Sequence, residues 1–336
     1  VGMLHATSLQ RNQGDPMFQQ FFDNFLDYSR RRDLFGYNGR VLWGNLFPPN
    51  YNYNPNNTFG VRYRLSETAY LEPWDELERG VLPPRFRYRH FTVPKKDGSP
   101  RELAEPGAAL KAMQYKIIEN FLAHAKPHHS AVGYRRGHSI ADHAWAHAGA
   151  RTIITADIAD FFPSTKRYRV RQYWKDHRYV HNSQEITLLT NLTTYRGSLP
   201  QGAPTSPMLS NLVNVELDRR LHKLVTESGG AYTRYADDIA FSWRARARPP
   251  SDFEGVVRRV LREYGYRLHS GDKGWAVWSR KDEPEITGVR LTRSGGVDLP
   301  EPMLRHMREL ARSGDDPSRL AGYQGYRQMI RGRRWR

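Results

Sequence analysis

The sequence predicts an α+β protein. Two short runs favour strand beside acidic residues: the β-branched stretch 152–158, and 232–243 on both sides of Asp237-Asp238. Around them lie segments with apolar residues at helical spacing, such as Leu209, Val213, Leu217, Leu221 and Leu224. At 336 residues, 38% hydrophobic and 12% aromatic, the chain is apolar enough to fold around a sizeable core with two or three subdomains.

Residues 1–80 are irregular. Aromatics at helical spacing over 18–28 precede the basic run Arg30-Arg31-Arg32. The Pro- and Asn-rich stretch 48–57 reads as loop, because Pro lacks a donor and Asn tolerates turn conformations. Its interleaved tyrosines suit packing within the loop or stacking on bases. From Phe91 the texture is regular. Phe91-Thr92-Val93-Pro94 reads as a strand end and Lys95-Lys96-Asp97-Gly98 as a hairpin turn. Leu110, Met113, Ile117, Phe121 and Leu122 mark an amphipathic helix over 108–125, and Ser139 caps a helix through Ala148. Ser164 is read as the cap of a helix reaching Trp174, and Ser206-Pro207 as an N-cap with Pro at the first helical position. Helices follow over 253–264 and 303–312, with short strands at 286–291 and 296–299. The basic tail 331–336 reads as mobile until bound.

Lys and Arg number 52 against 35 Asp and Glu, a formal net charge of +17. Such a balance points to a polyanionic partner, nucleic acid first and an anionic membrane surface second. A membrane role would want a basic amphipathic helix, whereas the basic residues are spread along the chain. The absence of cysteine excludes disulfides, thiolate zinc sites and cysteine nucleophiles. No apolar run reaches the roughly 20 residues that span a bilayer, and the polar stretch 1–14 lacks a signal-peptide core. The expectation is a cytoplasmic protein with no membrane partner. No Gly-Lys dipeptide occurs, so there is no P-loop.

Asp157 follows Ile153-Ile154-Thr155-Ala156 and sits near a strand end, while Asp237-Asp238 lies where two strand-like flanks meet. Adjacent carboxylates repel, and hard cations relieve the repulsion. Two Mg2+ ions roughly 3.5–4 Å apart can activate an attacking hydroxyl and stabilise a leaving pyrophosphate. Oxygen ligands suit Mg2+. A bare Asp-Asp pair is more often a solvated turn, so the surrounding motifs decide.

Those motifs are Phe91-Thr-Val-Pro-Lys-Lys-Asp-Gly with Arg101; Asp157-Ile-Ala-Asp-Phe-Phe-Pro-Ser164; Leu199-Pro-Gln-Gly-Ala-Pro-Thr-Ser-Pro207; Tyr235-Ala-Asp-Asp238; and Lys273 in a turn after Leu268. In this order and spacing the chain resembles the reverse transcriptases, and among them the bacterial retron type. The family's Asn-Ala-x-x-His signature stands here as His143-Ala-Trp-Ala-His147, departing at its first residue. The family's Val-Thr-Gly stands as Ile286-Thr287-Gly288. His143 and His147 also have the i, i+4 spacing of a metal pair, with no third ligand in view.

The resemblance implies a right-hand polymerase fold with fingers, a palm carrying an antiparallel sheet, and a small helical thumb. It divides the chain into 1–85 (N-terminal extension and start of fingers), 86–150 (fingers), 151–170 (palm), 171–198 (fingers/palm insertion), 199–290 (palm) and 291–336 (thumb and basic tail). It implies Asp157 and Asp237 as main ligands of two Mg2+ ions, with Mn2+ as a substitute, Asp238 as third carboxylate and the Ile158 carbonyl as a further ligand. Asp160 is left with a surface or capping role. Phe162 falls at the steric-gate position that excludes a ribose 2′-hydroxyl. Gln201 and Gly202 would meet the incoming nucleotide, Lys95 and Arg101 its triphosphate, and Lys273 the leaving pyrophosphate.

The function implied is RNA-directed DNA synthesis by a retron enzyme that makes RNA-linked single-stranded DNA for anti-phage defence. Its partners would be a structured RNA template/primer, the DNA product, dNTPs and an effector protein. The alternatives are another bacterial defence-associated reverse transcriptase, protein-primed or untemplated, and a non-catalytic RNA-binding scaffold.

Overall fold

The computed structural model describes residues 86–94, 100–244, 246–314 and 316–332. The expectations for residues 1–80 and for the hairpin turn with Lys95 lie outside the described residues.

Tyr88–Pro94 (β1) and Pro100–Pro106 (β2) pair antiparallel, from Tyr88 opposite Pro106 to Pro94 opposite Pro100. Ala108–Ile117 (α1) follows and passes into a π-helical turn, Ile118–Leu122, which ends three residues short of the expected helix. The expected cap at Ser139 is present. Its hydroxyl accepts from Ala141 N while Asp142 accepts from Ser139 N, opening Ile140–Trp145 (α2).

The centre is a four-stranded antiparallel sheet of Thr152–Asp157 (β3), Gly230–Tyr235 (β4), Asp238–Trp243 (β5) and Ala276–Ser279 (β6), in the order β4-β5-β3-β6. Residues 239–243 are all buried, and the reason is cover on both faces. Ile154, Tyr232, Ile239, Phe241 and Trp243 pack on one side with Leu217, Leu221 and Val257. Ile153, Tyr235 and Ala240 pack on the other with Ala141, Ala144 and Val289.

Between β3 and β4 run Arg167–Lys175 (α3), Ser183–Thr193 (α4), Ser206–Val213 (α5) and Val215–Thr226 (α6). Three expectations are corrected here. Ser164 closes a short helical turn, Phe161–Ser164, and its hydroxyl donates to Ala159 O; Lys166 is the residue before α3. Thr205, not Ser206, precedes α5, because the Ser206 hydroxyl is committed to Pro200 O at 2.7 Å. The apolar face from Leu209 to Leu224 is two helices. Asn214 steps the chain between them, its amide donating to Ser210 O and Tyr266 Oη and its oxygen accepting from Arg169.

Phe253–Glu263 (α7) leads to β6, and a three-stranded antiparallel sheet follows: Glu285–Ile286 (β7), Val289–Leu291 (β8) and Val297–Asp298 (β9). Two helices end the described chain, Glu301–Ser313 (α8) and Pro317–Gly332 (α9). The second overturns the expectation of a mobile tail for residues 331–332; residues 333–336 lie outside the described residues. Helix α9 carries three glycines, which dilute its local signal. Tertiary contacts secure it instead: Ile330 is buried, Trp145 Nε1 donates to its carbonyl at 2.9 Å, and Arg327 grips Asp298 through two hydrogen bonds. Among the described residues no helix is long and apolar enough to cross a membrane.

Candidate active site

The β4–β5 hairpin is the local feature from which the site grows. Tyr235 pairs with Asp238, so only Ala236 and Asp237 form the turn, and Ala236 takes a left-handed φ of 59°. On the other side of β5, Asp238 stands directly opposite Asp157 at the end of β3. Directly opposed residues in such a pair have Cβ atoms about 4.5–5.5 Å apart. The β3–β5 register and the β4–β5 turn together therefore bring the three aspartates to one edge of the sheet. Ile158 N donates to Asp237 O at 3.0 Å and closes that edge; Ile158 itself is buried.

A buried ion pair holds the hairpin from beneath. Arg234 donates through Nε and Nη2 to the two oxygens of Asp218 on α6, at 2.8 and 2.7 Å, and both residues are 0% exposed. Tyr232 Oη adds a third donor to Asp218, and Arg234 Nη1 donates to Ala236 O at 3.1 Å, inside the turn. Sequence reasoning passed over Arg234 and Asp218. The available signal was an arginine within the strand-favouring run 232–235, immediately before Tyr235-Ala-Asp-Asp238.

Lys273 lies on the short helical turn Gly271–Gly274. Its Nζ is 3.3 Å from Asp157 Oδ2, and His269 Nε2 is 3.7 Å from Asp157 Oδ1. His269 N also donates to Asp157 O at 2.9 Å. Burial and then Asp237 push the Asp157 carboxyl above its usual range, opposed by Lys273 and His269. Burial pushes Asp238 well above as well, reinforced by Asp237 and Asp157, while Thr287 Oγ1 donates to its Oδ2 at 3.1 Å. The site is short of positive charge. Asp157 Oδ1 is buried without a hydrogen-bond partner, and the donors are all hard oxygens, so a divalent cation fits. Among the described residues no three His, Asp or Glu side chains stand together as a ready metal-binding group.

Phe161 and Phe162 divide their work. Phe161 is buried and stacks on Tyr266 at 5.5 Å. Phe162 is only half-buried and lies 6.3 Å from the Tyr134 ring. Asp160 precedes them with a φ of 49° and accepts Ser164 N at its carbonyl; it is the residue before the helical turn, the capping position expected for it, although its side chain makes no cap hydrogen bond. Gln201 O accepts from Ala104 N at 2.8 Å. Gly202 has φ 126°, and a Cβ there would stand 2.9 Å from Ala104 O. Glycine is therefore required by the closeness of β2, a neighbour the sequence reading did not foresee. The same contact docks β2, with half-buried Arg101 opposite Val93, against the loop that opens α5.

His143 and His147 are not brought to the site. Both are fully buried between α2 and the sheet, farther along the strands than the aspartates. His143 Nδ1 meets Thr233 Oγ1 at 2.6 Å, and His147 bridges Ser242 Oγ at 2.8 Å and Thr233 Oγ1 at 2.7 Å. Burial lowers the pKa of both, that of His147 to about 3. They bind helix α2 to the sheet rather than a metal.

A family model described as reverse transcriptase (RNA-dependent DNA polymerase) matches residues 93–277, more than half of the 336-residue chain. The chain belongs to the reverse transcriptase family. The retron Mx162 reverse transcriptase of Myxococcus xanthus is 35% identical over 240 residues, covering 63% of this chain and 48% of that protein. The retron Ec86 reverse transcriptase of Escherichia coli is 37% identical over 159 residues, covering 47% of this chain and 49% of that protein. The retron Mx65 reverse transcriptase of Myxococcus xanthus is 33% identical over 270 residues, covering 72% and 61%. The chain thus spans about half the length of the first two of these relatives, and the resemblance within the family is to the bacterial retron type.

Proposed function

We propose that the protein is an RNA-directed DNA polymerase of retron type, which copies part of a structured RNA into single-stranded DNA that stays joined to RNA. The observation that carries the reading is the register of β3 and β5, which sets Asp157 opposite Asp238 beside the Asp237 turn. Family membership over 93–277 supports it. Asp157, Asp237 and Asp238 would hold two divalent ions, Mg2+ with Mn2+ as a substitute. Bound there, these ions supply activation of the primer hydroxyl and neutralise charge on the pyrophosphate.

The chain's own residues take the remaining roles. Lys273, already drawn to Asp157, delivers a proton to the departing pyrophosphate. Phe162 bounds the sugar pocket. Gln201 and Gly202 line the nucleotide's approach, and Arg101 with Lys95 binds the triphosphate. The net charge of +17 suits an RNA template/primer and a DNA product as partners. The defence role and an effector protein follow the retron reading.

The test is the nucleic acid that copurifies with the full chain, sequenced and treated with nucleases. We expect DNA complementary to part of the bound RNA and joined to it by a bond that survives protease. DNA with no complementarity to any bound RNA, or DNA released by protease, would favour an untemplated or protein-primed enzyme.

A further inference from the structure

We infer that Thr287 is a positioning residue for the metal-binding carboxylates: its hydroxyl holds Asp238 from a turn that is otherwise poorly suited to threonine. The Ile286-Thr287-Gly288 motif forms the two-residue connection between β7 and β8, closed by the pair Ile286 and Val289. Thr287 has φ 48° and Gly288 φ 74°. Positive φ at both central residues marks a type I′ turn, whose first position favours Asn, Asp or Gly. A β-branched residue there is a genuine outlier, because its Cβ crowds the backbone.

Strain of this kind persists where surrounding structure holds it and often marks a functional constraint. Here the surroundings are firm. Ile286 and Val289 are buried and pack with Ile140 and Ala144 of α2. The hydroxyl is the feature that threonine contributes and glycine lacks, and it reaches Asp238 Oδ2 at 3.1 Å, 49 residues away in sequence. Asp157 and Asp237 crowd Asp238 with like charge, so a fixed neutral donor sets which oxygen is left to face a cation. The sheet that carries α8 and α9 is thereby tied to the aspartate hairpin by a hydrogen bond in addition to the core they share.

The inference rests on the metal-dependent polymerase reading. Its test is Mn2+ binding by the full chain, followed by electron paramagnetic resonance, beside thermal unfolding and RNA binding. Thr287→Ser keeps the donor and should bind Mn2+ close to wild type. Thr287→Val and Thr287→Gly should bind it about 10-fold more weakly, the usual effect of removing a group that orients a metal ligand. Thr287→Gly should unfold at the wild-type temperature or above, because glycine relieves the turn, so its weaker binding cannot be ascribed to misfolding. Wild-type Mn2+ affinity in both Thr287→Val and Thr287→Gly would overturn the role of Thr287 and leave the polymerase reading standing. A loss of RNA binding alone, with Mn2+ binding intact, would overturn it in favour of an RNA contact. A wild-type chain that binds no Mn2+ would remove the metal reading itself.

Discussion

Phe161 and Phe162 are adjacent and chemically identical, yet one is buried in the core and the other is half-buried, and the proposed sugar pocket is assigned to the second. Phe162→Ala should therefore cost less stability than Phe161→Ala while opening space where a 2′-hydroxyl would sit. Incorporation of ribonucleotides relative to deoxynucleotides should rise by about 100-fold, the scale on which a shaped pocket rejects one hydroxyl. Single-nucleotide incorporation kinetics measure it, and unchanged sugar discrimination would remove Phe162 from the pocket. At this scale the sequence was most legible where chemistry restricts residue type, as at Asp157, Asp237 and Asp238. It was silent where the partner lies far along the chain. Asp218 meets Arg234 across 16 residues and Thr287 meets Asp238 across 49, and no local pattern announces either contact.

Helix α2 shows how an element can carry a family signature for structural reasons. His143 lies in α2 and His147 in the turn just after it, and the two rings meet Thr233 and Ser242 of the sheet. The spacing that suggested a metal pair instead supplies two neutral hydrogen-bonding rings. Because folded His147 has its pKa lowered to about 3, the unfolded chain binds the extra proton first as pH falls. Stability is then full above about 6.5 and lost below it, at about 1.4 kcal/mol per pH unit for each buried histidine until its folded pKa is reached. Urea unfolding at pH 7, 6 and 5 measures this slope, and His147→Gln should flatten it. An equal slope in the variant would assign the acid sensitivity elsewhere. Strand assignments at 152–158 and 232–243 were readable because β-branched and aromatic runs fit a sheet covered on both faces. Helix ends were less so, since Asn214 bonds across to Arg169 and Tyr266 and the Ser206 hydroxyl is taken by Pro200 O in the preceding loop.

At the scale of the whole molecule, two sheets and their helices converge on one edge of the central sheet. Strand β3 brings Asp157, the β4–β5 hairpin brings Asp237 and Asp238, the turn after Leu268 brings Lys273, and the β7–β8 turn brings Thr287. The order of motifs in the sequence implied that convergence, although the sheet register that produces it was not readable from the chain. The last helix was hidden for the opposite reason: contacts with Asp298 and Trp145, rather than its own composition, hold it. The central claim is that this convergence performs metal-dependent DNA synthesis. Primer extension on an RNA template with dNTPs and Mg2+, comparing the wild-type chain with Asp237→Asn, tests it most directly. The account predicts extension by the wild type, and in the variant a loss of at least about 10³-fold, as when a charge that stabilises the transition state is removed, with RNA binding retained. Extension by Asp237→Asn at the wild-type rate would contradict it.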